Sequence, residues 1–280
     1  MRLSWVDVFT NRPGAGNPLA VIPDADALDE RSMQALAREI GLSETVFTLY
    51  SDDALRIFTP TEELPLAGHP VVGTAIELAR LGRIASEGRH MFRTQAGEIE
   101  VTVSNGTATM KQLEPQLGPA LAADAIAPLL GVGVDDVVGT PAMCTTTGVK
   151  QLFARVGGRE KLAALRPDLA GIGALEGVDG IAAWCEHGST VAQRFFAPRL
   201  GIDEDPATGS AAGALGALRV FEGAAPGPIT VGQGAEIGRP STIEVSVGGA
   251  PGAPREVRIS GGAVLVLEAE ISAETLARLG

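Results

Sequence analysis

The sequence contains one short pattern twice, and this repeat restricts the architecture that the chain can adopt. Residues 56–60 read Arg-Ile-Phe-Thr-Pro, and residues 194–198 read Arg-Phe-Phe-Ala-Pro. Each copy leads through a loop into a helix start rich in glycine and alanine, at residues 68–73 and 209–213. Because the same kind of helix start follows each copy at nearly the same distance along the chain, an internal duplication is favoured over a chance match. We therefore predict two similar domains whose helix N-termini converge on one cleft.

The second helix start, residues 203–214, combines acidic residues, a turn and an alanine-rich run. Pro206 restricts the backbone of the turn, while Thr208, Gly209 and Ser210 suit a helix cap. The first amides of such a helix have no partner inside the helix, and its dipole attracts negative charge, so this end is suited to a substrate carboxylate. A helix of small residues packed deep in a core, with no ligand, fits the same pattern.

Length and composition exclude several classes of protein. The 280 residues suffice for two domains of about 150 residues each. A net charge of −12, with no basic run, argues against nucleic acid as a partner. The first nine residues lack the apolar segment of a signal peptide, and no stretch reaches the ~18 apolar residues of a membrane helix. We therefore expect a soluble, cytoplasmic protein with no membrane partner.

The spacing of cysteine and histidine gives no indication of a metal site. Cys144 and Cys185 are isolated from each other, which favours buried free thiols over a disulfide or a nucleophile. His69, His90 and His187 are too scattered to form a recognisable ligand set. We expect no bound metal.

Motifs for nucleotide cofactors and for serine hydrolases are also missing. The glycines at residues 14–16 lead into a strand pattern and not into the helix that a dinucleotide site requires. Ser210 has Thr208 and Ala212 at the positions where a nucleophile elbow has glycines. We expect no cofactor and no serine nucleophile.

Local patterns predict a mixture of strands and helices, with a linker near the middle of the chain. Residues 114–119 contain two prolines and a glycine between a strand pattern and a helix pattern. We therefore place the domains at residues 1–115 and 116–280, with a closing helix from Ala273 able to pack back on the first. Strands are predicted at residues 3–9, 19–22, 45–50, 55–58, 91–94, 97–103, 107–112, 142–147, 151–156, 181–185, 191–196, 229–231, 243–247, 257–259 and 263–269, and helices at residues 29–40, 70–82, 122–130 and 209–218 and from Arg159.

Two carboxylates and one histidine are candidates for proton transfer beside a substrate carboxylate. Glu44 lies between Gly41, which ends a helix pattern, and a strand; the pattern alone favours a solvated glutamate at a strand end. Asp205 precedes the second helix and suits either a site residue or a helix cap. His69 holds the place in the first half that Ser210 holds in the second, and suits a site residue, a cap or a packed imidazole.

A series of motifs along the chain resembles one known family. Together they cover nearly the whole chain and resemble the PhzF-type phenazine-biosynthesis isomerase family. That family shares the diaminopimelate epimerase fold, which implies an α+β protein of two similar domains. Each domain is a curved, largely antiparallel sheet around a central helix, and the active site lies in the cleft between the domains. The matching segments are residues 7–10, 16–21, 43–47, 56–60, 66–70, 205–211, 233–234 and 238–241.

The resemblance implies a role for each matching residue. Glu44 matches the family's acid/base glutamate, which removes a proton from one substrate carbon and returns it to another. The other matching polar residues bind and orient the substrate, and two glycines begin the two helices. The predicted catalytic residues are Glu44, Asp205 and His69, and the predicted substrate-binding residues are Gly68, Thr208, Gly209 and Ser210.

The family's epimerase and proline racemase relatives use two cysteines as paired bases at the helix starts. In this chain those places hold Ala67 and Pro206, and neither Cys144 nor Cys185 lies in either motif. The two-thiol mechanism is therefore excluded.

The resemblance implies a homodimeric, cofactor-free isomerase of a small carboxylic acid, similar to trans-2,3-dihydro-3-hydroxyanthranilate isomerase. We expect burial in a closed site to raise the pKa of Glu44. Two alternatives remain open. One is an epimerase of an unrelated small acid that uses Glu44 and Asp205, and the other is a non-catalytic protein that binds small carboxylates.

Overall fold

The computed structural model describes residues 1–279, which form seventeen strands, seven α-helices and three short 3₁₀ helices. This mixed content confirms the α+β class. Within the described residues, no helix has the length and apolar character needed to cross a membrane. The strands are β1 (Arg2–Val8), β2 (Asn17–Ile22), β3 (Thr45–Leu49), β4 (Ala54–Phe58), β5 (Glu63–Leu64), β6 (Gly88–Thr94), β7 (Gly97–Ser104), β8 (Thr107–Lys111), β9 (Gln116–Ala120), β10 (Ala142–Thr145), β11 (Gln151–Arg155), β12 (Gly180–His187), β13 (Thr190–Ala197), β14 (Ile202–Asp205), β15 (Gly227–Gln233), β16 (Ser241–Ala250) and β17 (Ala253–Glu270). The helices are α1 (Glu30–Ile40), α2 (Gly68–Arg80), α3 (Ala123–Leu130), α4 (Arg159–Ala164), α5 (Leu169–Ala174), α6 (Gly209–Phe221) and α7 (Ala273–Leu279).

The chain divides into two compact units. The first comprises Met1–Lys111 together with the residues from Ser260 onward, and the second is Gln112–Ile259. The end of β17 belongs to the first unit because it pairs antiparallel with β1, in a register that sets Arg2 opposite Glu270. In the same unit α7 packs against α1. This division differs from the expected ranges 1–115 and 116–280, since the partner of a terminal strand is not encoded in its own pattern.

The two units repeat the same series of strand pairings. In the first unit β1 is antiparallel to β2, β2 is parallel to β3, and β3 is antiparallel to β4. Strand β4 is also antiparallel to the short strand β5 and parallel to β6. Strand β6 is antiparallel to β7. In the second unit β10 to β16 follow the same orientations in the same order. A long helix follows each short strand, α2 after β5 and α6 after β14. The duplication inferred from the repeated pattern is therefore present in the topology.

Each unit has one buried helix in contact with its strands. In the first unit α2 contacts β1, β2, β3, β7 and β8, and in the second α6 contacts β10, β11 and β16. Gly73 allows close approach of α2, because a Cβ there would lie 2.5 Å from Val8 Cγ2 and 2.8 Å from Leu19 Cδ2. Gly216 plays the same part in α6, where a Cβ would lie 2.9 Å from Val245 Cγ1. The small residues of both helices thus serve core packing.

Helix α1 forms as its sequence signals predict. Asp29 caps its N-terminus by accepting a hydrogen bond from Ser32 N, and Gly41 ends it in the left-handed conformation. Its buried side chains, including Met33 and Leu36, pack against Phe47 and other strand residues of the first unit. In the second unit, residues of α3, α4 and α5 pack with β11, β12 and β13 in a comparable apolar cluster.

Both copies of the repeated pattern build the same contact. The guanidinium of Arg194 donates to both carboxylate oxygens of Glu204 at 2.8 and 2.7 Å, and lies 5.0 Å from the ring centroid of Phe196. The ion pair joins β13 to the short strand β14, and so fixes the turn that leads to α6. The corresponding residues of the first unit are Arg56, Glu63 and Phe58.

Some elements differ from those that the sequence predicts. The expected linker contains β9, which pairs with β10 inside the second unit, and all of its residues are exposed. A strand without buried positions lacks the alternation that identifies strands. The acidic strand β14 and the short helix α5 were likewise missed, and the two strands predicted at 257–259 and 263–269 are parts of β17.

Both cysteines are free and buried, as the sequence predicts. Burial raises the pKa of the Cys144 thiol to about 12, and it also raises the pKa of Cys185. Both thiols are therefore protonated near neutral pH and poorly suited to act as nucleophiles.

Candidate active site

In the first unit, the fold brings Glu44 and His69 together. Glu44 directly precedes β3, and His69 lies in the first turn of α2. Glu44 Oε2 lies 3.3 Å from His69 Nε2, within ion-pair distance. The backbone of Glu44 is held at the sheet because its carbonyl accepts a hydrogen bond from Ala20 N at 3.4 Å. The carboxyl and the imidazole thus form a buried acid/base pair.

The surroundings of Glu44 change its ionisation. The residue is only 7% exposed, and this burial raises its pKa to about 7, although a hydrogen bond with Ser43 acts in the opposite direction. Desolvation penalises the charged carboxylate, since little water remains to stabilise it. A carboxyl that titrates near neutral pH can both accept a proton and return it.

Asn17 extends this cluster beyond the residues that the sequence identified. Its Nδ2 lies 3.3 Å from His69 Nδ1, and its Oδ1 lies 3.5 Å from Ser43 Oγ. Asn17 begins β2 and directly follows Gly16, which has a φ of +65°. A Cβ at Gly16 would lie 2.2 Å from the carbonyl oxygen of Val8, so only glycine fits there. The Gly-Asn-Pro motif was the available sequence signal, but it indicated no role for the asparagine.

In the second unit, Asp205 and Thr208 form a rigid turn. Asp205 ends β14, and its carboxylate accepts a hydrogen bond from the Thr208 hydroxyl. Gln233 holds both residues: its Nε2 donates to Asp205 O at 2.7 Å and to Thr208 Oγ1 at 2.9 Å. Its Oε1 accepts from Thr208 N at 3.0 Å and from Gln193 Nε2 at 2.9 Å. The buried amide of Gln233 therefore fixes the turn from a neighbouring strand.

The segment after Gln233 supports the same turn. Ser241 Oγ donates to Pro206 O at 3.0 Å and lies 3.2 Å from Gln233 O. Gly234 has a φ of +78°, and a Cβ there would lie 2.5 Å from Pro206 O and 2.4 Å from Arg239 O. The late glycine-containing motif, which gave no chemistry at the sequence level, thus has a structural explanation.

Both buried helices begin without a side-chain cap. The N-cap residue is Ala67 in α2 and Thr208 in α6, and neither caps its helix through its side chain. Gly68 and Gly209 are the first helical residues. Such helix starts retain the ability of backbone amides to bind an anion.

Ser210 lies in the first turn of α6 and is 9% exposed. Its Oγ accepts a hydrogen bond from Gln151 Nε2 at 2.8 Å, and Gly209 O accepts one from Gln112 Nε2 at 3.1 Å. Because Gln151 uses a lone pair of the serine oxygen, the hydroxyl hydrogen is left to donate to another acceptor. Nothing in the local sequence around Gln151 indicated this contact.

A cavity of about 610 Å³ lies in the second unit, and Gln151 forms part of its wall. Much of the remaining lining is apolar, including Leu117, Met143 and Val178, while Lys150 and Glu176 contribute one charge of each sign. This volume lies within the range of small-molecule sites.

The predicted site residues therefore fall into two groups, each described within its own unit. Sequence reasoning missed three polar residues that support them, Asn17, Gln151 and Gln233. The first group is Glu44, Gly68 and His69, and the second is Asp205, Thr208, Gly209 and Ser210.

Comparison with known proteins relates this chain and its fold to a group of enzymes. The chain is 36% identical to trans-2,3-dihydro-3-hydroxyanthranilate isomerase of Pseudomonas fluorescens over 243 residues, which cover 84% of this chain and 86% of that protein. It matches the solved structure of a PhzF-family phenazine biosynthesis protein from Bacillus anthracis with a TM-score of 0.87 at 26% identity, covering 97% of this chain and 99% of that one.

A more distant structure shows how far the fold extends. A probable proline racemase from Agrobacterium radiobacter K84 matches with a TM-score of 0.62 at 12% identity, covering 97% of this chain and 93% of that one. The family model for phenazine biosynthesis-like proteins matches residues 6–269, in agreement with the motifs spread along the sequence. The chain therefore belongs to the phenazine biosynthesis-like PhzC-PhzF family.

Proposed function

We propose that this protein is a cofactor-independent isomerase that moves a proton between carbons of a small carboxylic acid, with Glu44 as the general acid and base. The observation that carries the proposal is the buried Glu44 carboxyl, whose pKa is raised to about 7 beside His69. The name of the Pseudomonas fluorescens relative, an isomerase of an unsaturated cyclic amino acid, supports the reaction class.

The proposed reaction needs only one group to carry the proton. The Glu44 carboxylate takes a proton from a substrate carbon, and the electron pair of that C–H bond moves into the adjacent unsaturated system. The protonated Glu44 then returns the proton to a different carbon, so the double bond shifts and the carboxylate is regenerated. General acid/base catalysis of this kind contributes about 10²- to 10⁴-fold in rate.

Residues of the second unit are proposed to hold the substrate. The Ser210 hydroxyl retains a hydrogen for a carboxylate oxygen, and the first turn of α6, beginning at Gly209, has no side-chain cap. Asp205 and Thr208, fixed by their own hydrogen bond, are proposed to orient polar substituents. Gly68 gives α2 an equivalent start in the first unit. Two polar contacts and a helix dipole are sufficient to orient one carboxylate.

The first compound to test is trans-2,3-dihydro-3-hydroxyanthranilate, because the relative is named for it. A panel of small cyclic and unsaturated carboxylic acids extends the search, with a shift in melting temperature identifying binders. Each binder is then incubated with the protein in deuterated water, and the product is followed by proton NMR. An isomerase converts the substrate and moves hydrogen between carbons.

The matched pair of variants is Glu44→Gln and Glu39→Gln. Both remove one carboxylate, but Glu39 lies exposed on α1. We expect Glu44→Gln to lose about 10²- to 10⁴-fold in turnover and Glu39→Gln to retain it. Unchanged turnover by Glu44→Gln would contradict the assigned role of Glu44.

The same experiment separates the alternatives. Inversion of one carbon with incorporation of solvent deuterium would favour an epimerase that uses Glu44 and Asp205. Binding of acids without any exchange or conversion would favour a protein that only binds small carboxylates.

A further inference from the structure

We propose that Asn17 is a positioning residue that selects the tautomer of His69, and thereby the oxygen of Glu44 that exchanges the substrate proton. The inference rests on the proposed function, in which Glu44 carries the proton. It concerns three side chains of the first unit that lie in a row, Asn17, His69 and Glu44.

The argument begins with the direction of the hydrogen bond between Asn17 and His69. Asn17 Nδ2 lies 3.3 Å from His69 Nδ1, and an amide NH₂ group can only donate. The carbonyl end of the same amide, Oδ1, lies 3.5 Å from the hydroxyl oxygen of Ser43, at the limit of a hydrogen bond. Since Nδ1 must accept, a neutral imidazole carries its hydrogen on Nε2.

This tautomer places a ring N–H of His69, and not a ring lone pair, beside the carboxyl group of Glu44. His69 Nε2 lies 3.3 Å from Glu44 Oε2, within ion-pair distance, so a hydrogen on Nε2 lies close to this carboxylate oxygen. A proton on Oε2 would face the Nε2–H hydrogen and be repelled. When Glu44 takes a proton from substrate carbon, that proton therefore resides on Oε1, and Oε1 is the oxygen that later returns it.

The surrounding structure holds the side chain of Asn17 in a position that selects the Nε2–H tautomer of His69. Asn17 is fully buried, and its backbone pairs with Val8 at the start of β2. The left-handed Gly16 fixes the preceding turn and excludes any larger residue. Little freedom remains for the amide to move away from His69, which is the requirement for preorganised catalysis.

The tautomer is directly measurable by NMR. The full-length protein labelled with ¹⁵N contains three histidines, and the ring signals of His69 are those that disappear in His69→Gln. Correlation of ring nitrogens with carbon-bound protons distinguishes Nε2–H, Nδ1–H and imidazolium. We expect the Nε2–H form for His69 in the wild type at pH 8.

The informative variant is Asn17→Asp, which is nearly isosteric but replaces the donor opposite His69 Nδ1 with a hydrogen-bond acceptor. We expect His69 to become protonated on Nδ1, kcat to fall about 10- to 100-fold with a smaller change in KM, and the pH dependence of kcat to shift. The loss is smaller than that of removing the base itself, about 10²- to 10⁴-fold. Asn11→Asp introduces the same charge at an exposed position of the loop that precedes β2 and should change none of these quantities.

Two results would overturn the inference. One is an Nδ1–H tautomer for His69 in the wild type, which decides the matter even if Asn17→Asp does not fold. The other is a folded Asn17→Asp protein with the wild-type tautomer and the wild-type pH profile. Failure of the proposed function is a separate outcome, recognised by full activity of Glu44→Gln whatever the tautomer of His69.

Discussion

Glu44 Oε2 and His69 Nε2 lie 3.3 Å apart, and both residues are more than nine-tenths buried. Burial raises the pKa of Glu44 to about 7, well above the ordinary value for a glutamate. The carboxyl therefore changes its charge in the neutral range, where an exposed glutamate stays ionised. Catalysis and stability are both expected to depend on pH for this reason.

The first prediction concerns the pH dependence of catalysis. Because the proposed reaction starts from the carboxylate form of Glu44, kcat/KM should rise with pH, with an apparent pKa of about 7, and level off above it. The apparent value belongs to Glu44 together with His69, since the two groups interact. Initial rates on an identified substrate between pH 5 and 9 give this profile. A profile that is flat across this range would show that Glu44 does not need to be ionised.

The second prediction concerns stability. Below about pH 4.5 Glu44 is protonated in both the folded and the unfolded chain; as pH rises to about 7 the unfolded chain loses this proton while the folded one keeps it. Stability therefore falls over this window, by roughly 3 kcal/mol in total. Glu44→Gln removes the titration, so it should be more stable than the wild type at pH 8, and by a larger margin than at pH 5.

Urea unfolding at pH 5 and pH 8 measures this difference. The exposed Glu39→Gln is the control, and its effect should be similar at both values. If Glu44→Gln exceeded the wild type in free energy of unfolding by the same amount at pH 5 as at pH 8, the raised pKa of Glu44 would not be a property of the folded protein.

Elements with strong local signals were predictable from the sequence. Helix α1 has its cap residue Asp29, its apolar spacing and its terminal Gly41 within one segment. Strand β9 has only exposed residues and β14 is acidic, so neither shows the alternation of apolar and polar residues that identifies a strand in a sequence. The return of β17 to β1 depends on a partner more than 250 residues away, which no local window contains.

The candidate site was only partly predictable for a related reason. Glu44 and His69 were identified by motif, but their contact depends on the start of α2 lying beside the start of β3. Gln151 and Gln233 act from neighbouring strands on α6 and on the turn before it. A glutamine in a strand carries no signal that distinguishes such a role from an ordinary polar position.

The third prediction tests Gln233. Replacing it with alanine leaves Thr208 N and Asp205 O without the amide that satisfies them, and a buried unsatisfied group costs about 1–3 kcal/mol. We expect Gln233→Ala to lower the free energy of unfolding and to reduce activity, because the turn that carries Asp205 loosens. The control is Gln95→Ala at an exposed turn, which should change neither quantity. Wild-type stability and activity in Gln233→Ala would show that the turn is held without this amide.

The fourth prediction compares two ion pairs that differ in burial. The side chains of Arg194 and Glu204 are 8% and 13% exposed, and Arg194 Nη1 also donates to Leu162 O at 3.1 Å. Arg194→Ala leaves the carboxylate of Glu204 desolvated and unpaired, which is expected to cost about 3–5 kcal/mol. The side chains of Arg83 and Asp24 are 45% and 47% exposed, so Arg83→Ala should cost at most about 1 kcal/mol.

Urea unfolding of the two alanine variants at neutral pH measures both costs, and Arg194→Lys separates charge from geometry. Lysine retains the positive charge but cannot donate two parallel hydrogen bonds to Glu204 or stack in the same way on Phe196, so an intermediate loss is expected. In Arg194→Ala combined with Glu204→Gln, the loss should be smaller than in Arg194→Ala alone, because no unpaired charge remains. Equal costs for Arg194→Ala and Arg83→Ala would mean that the repeated Arg-x-Phe-x-Pro pattern does not owe its stabilising effect to this buried ion pair.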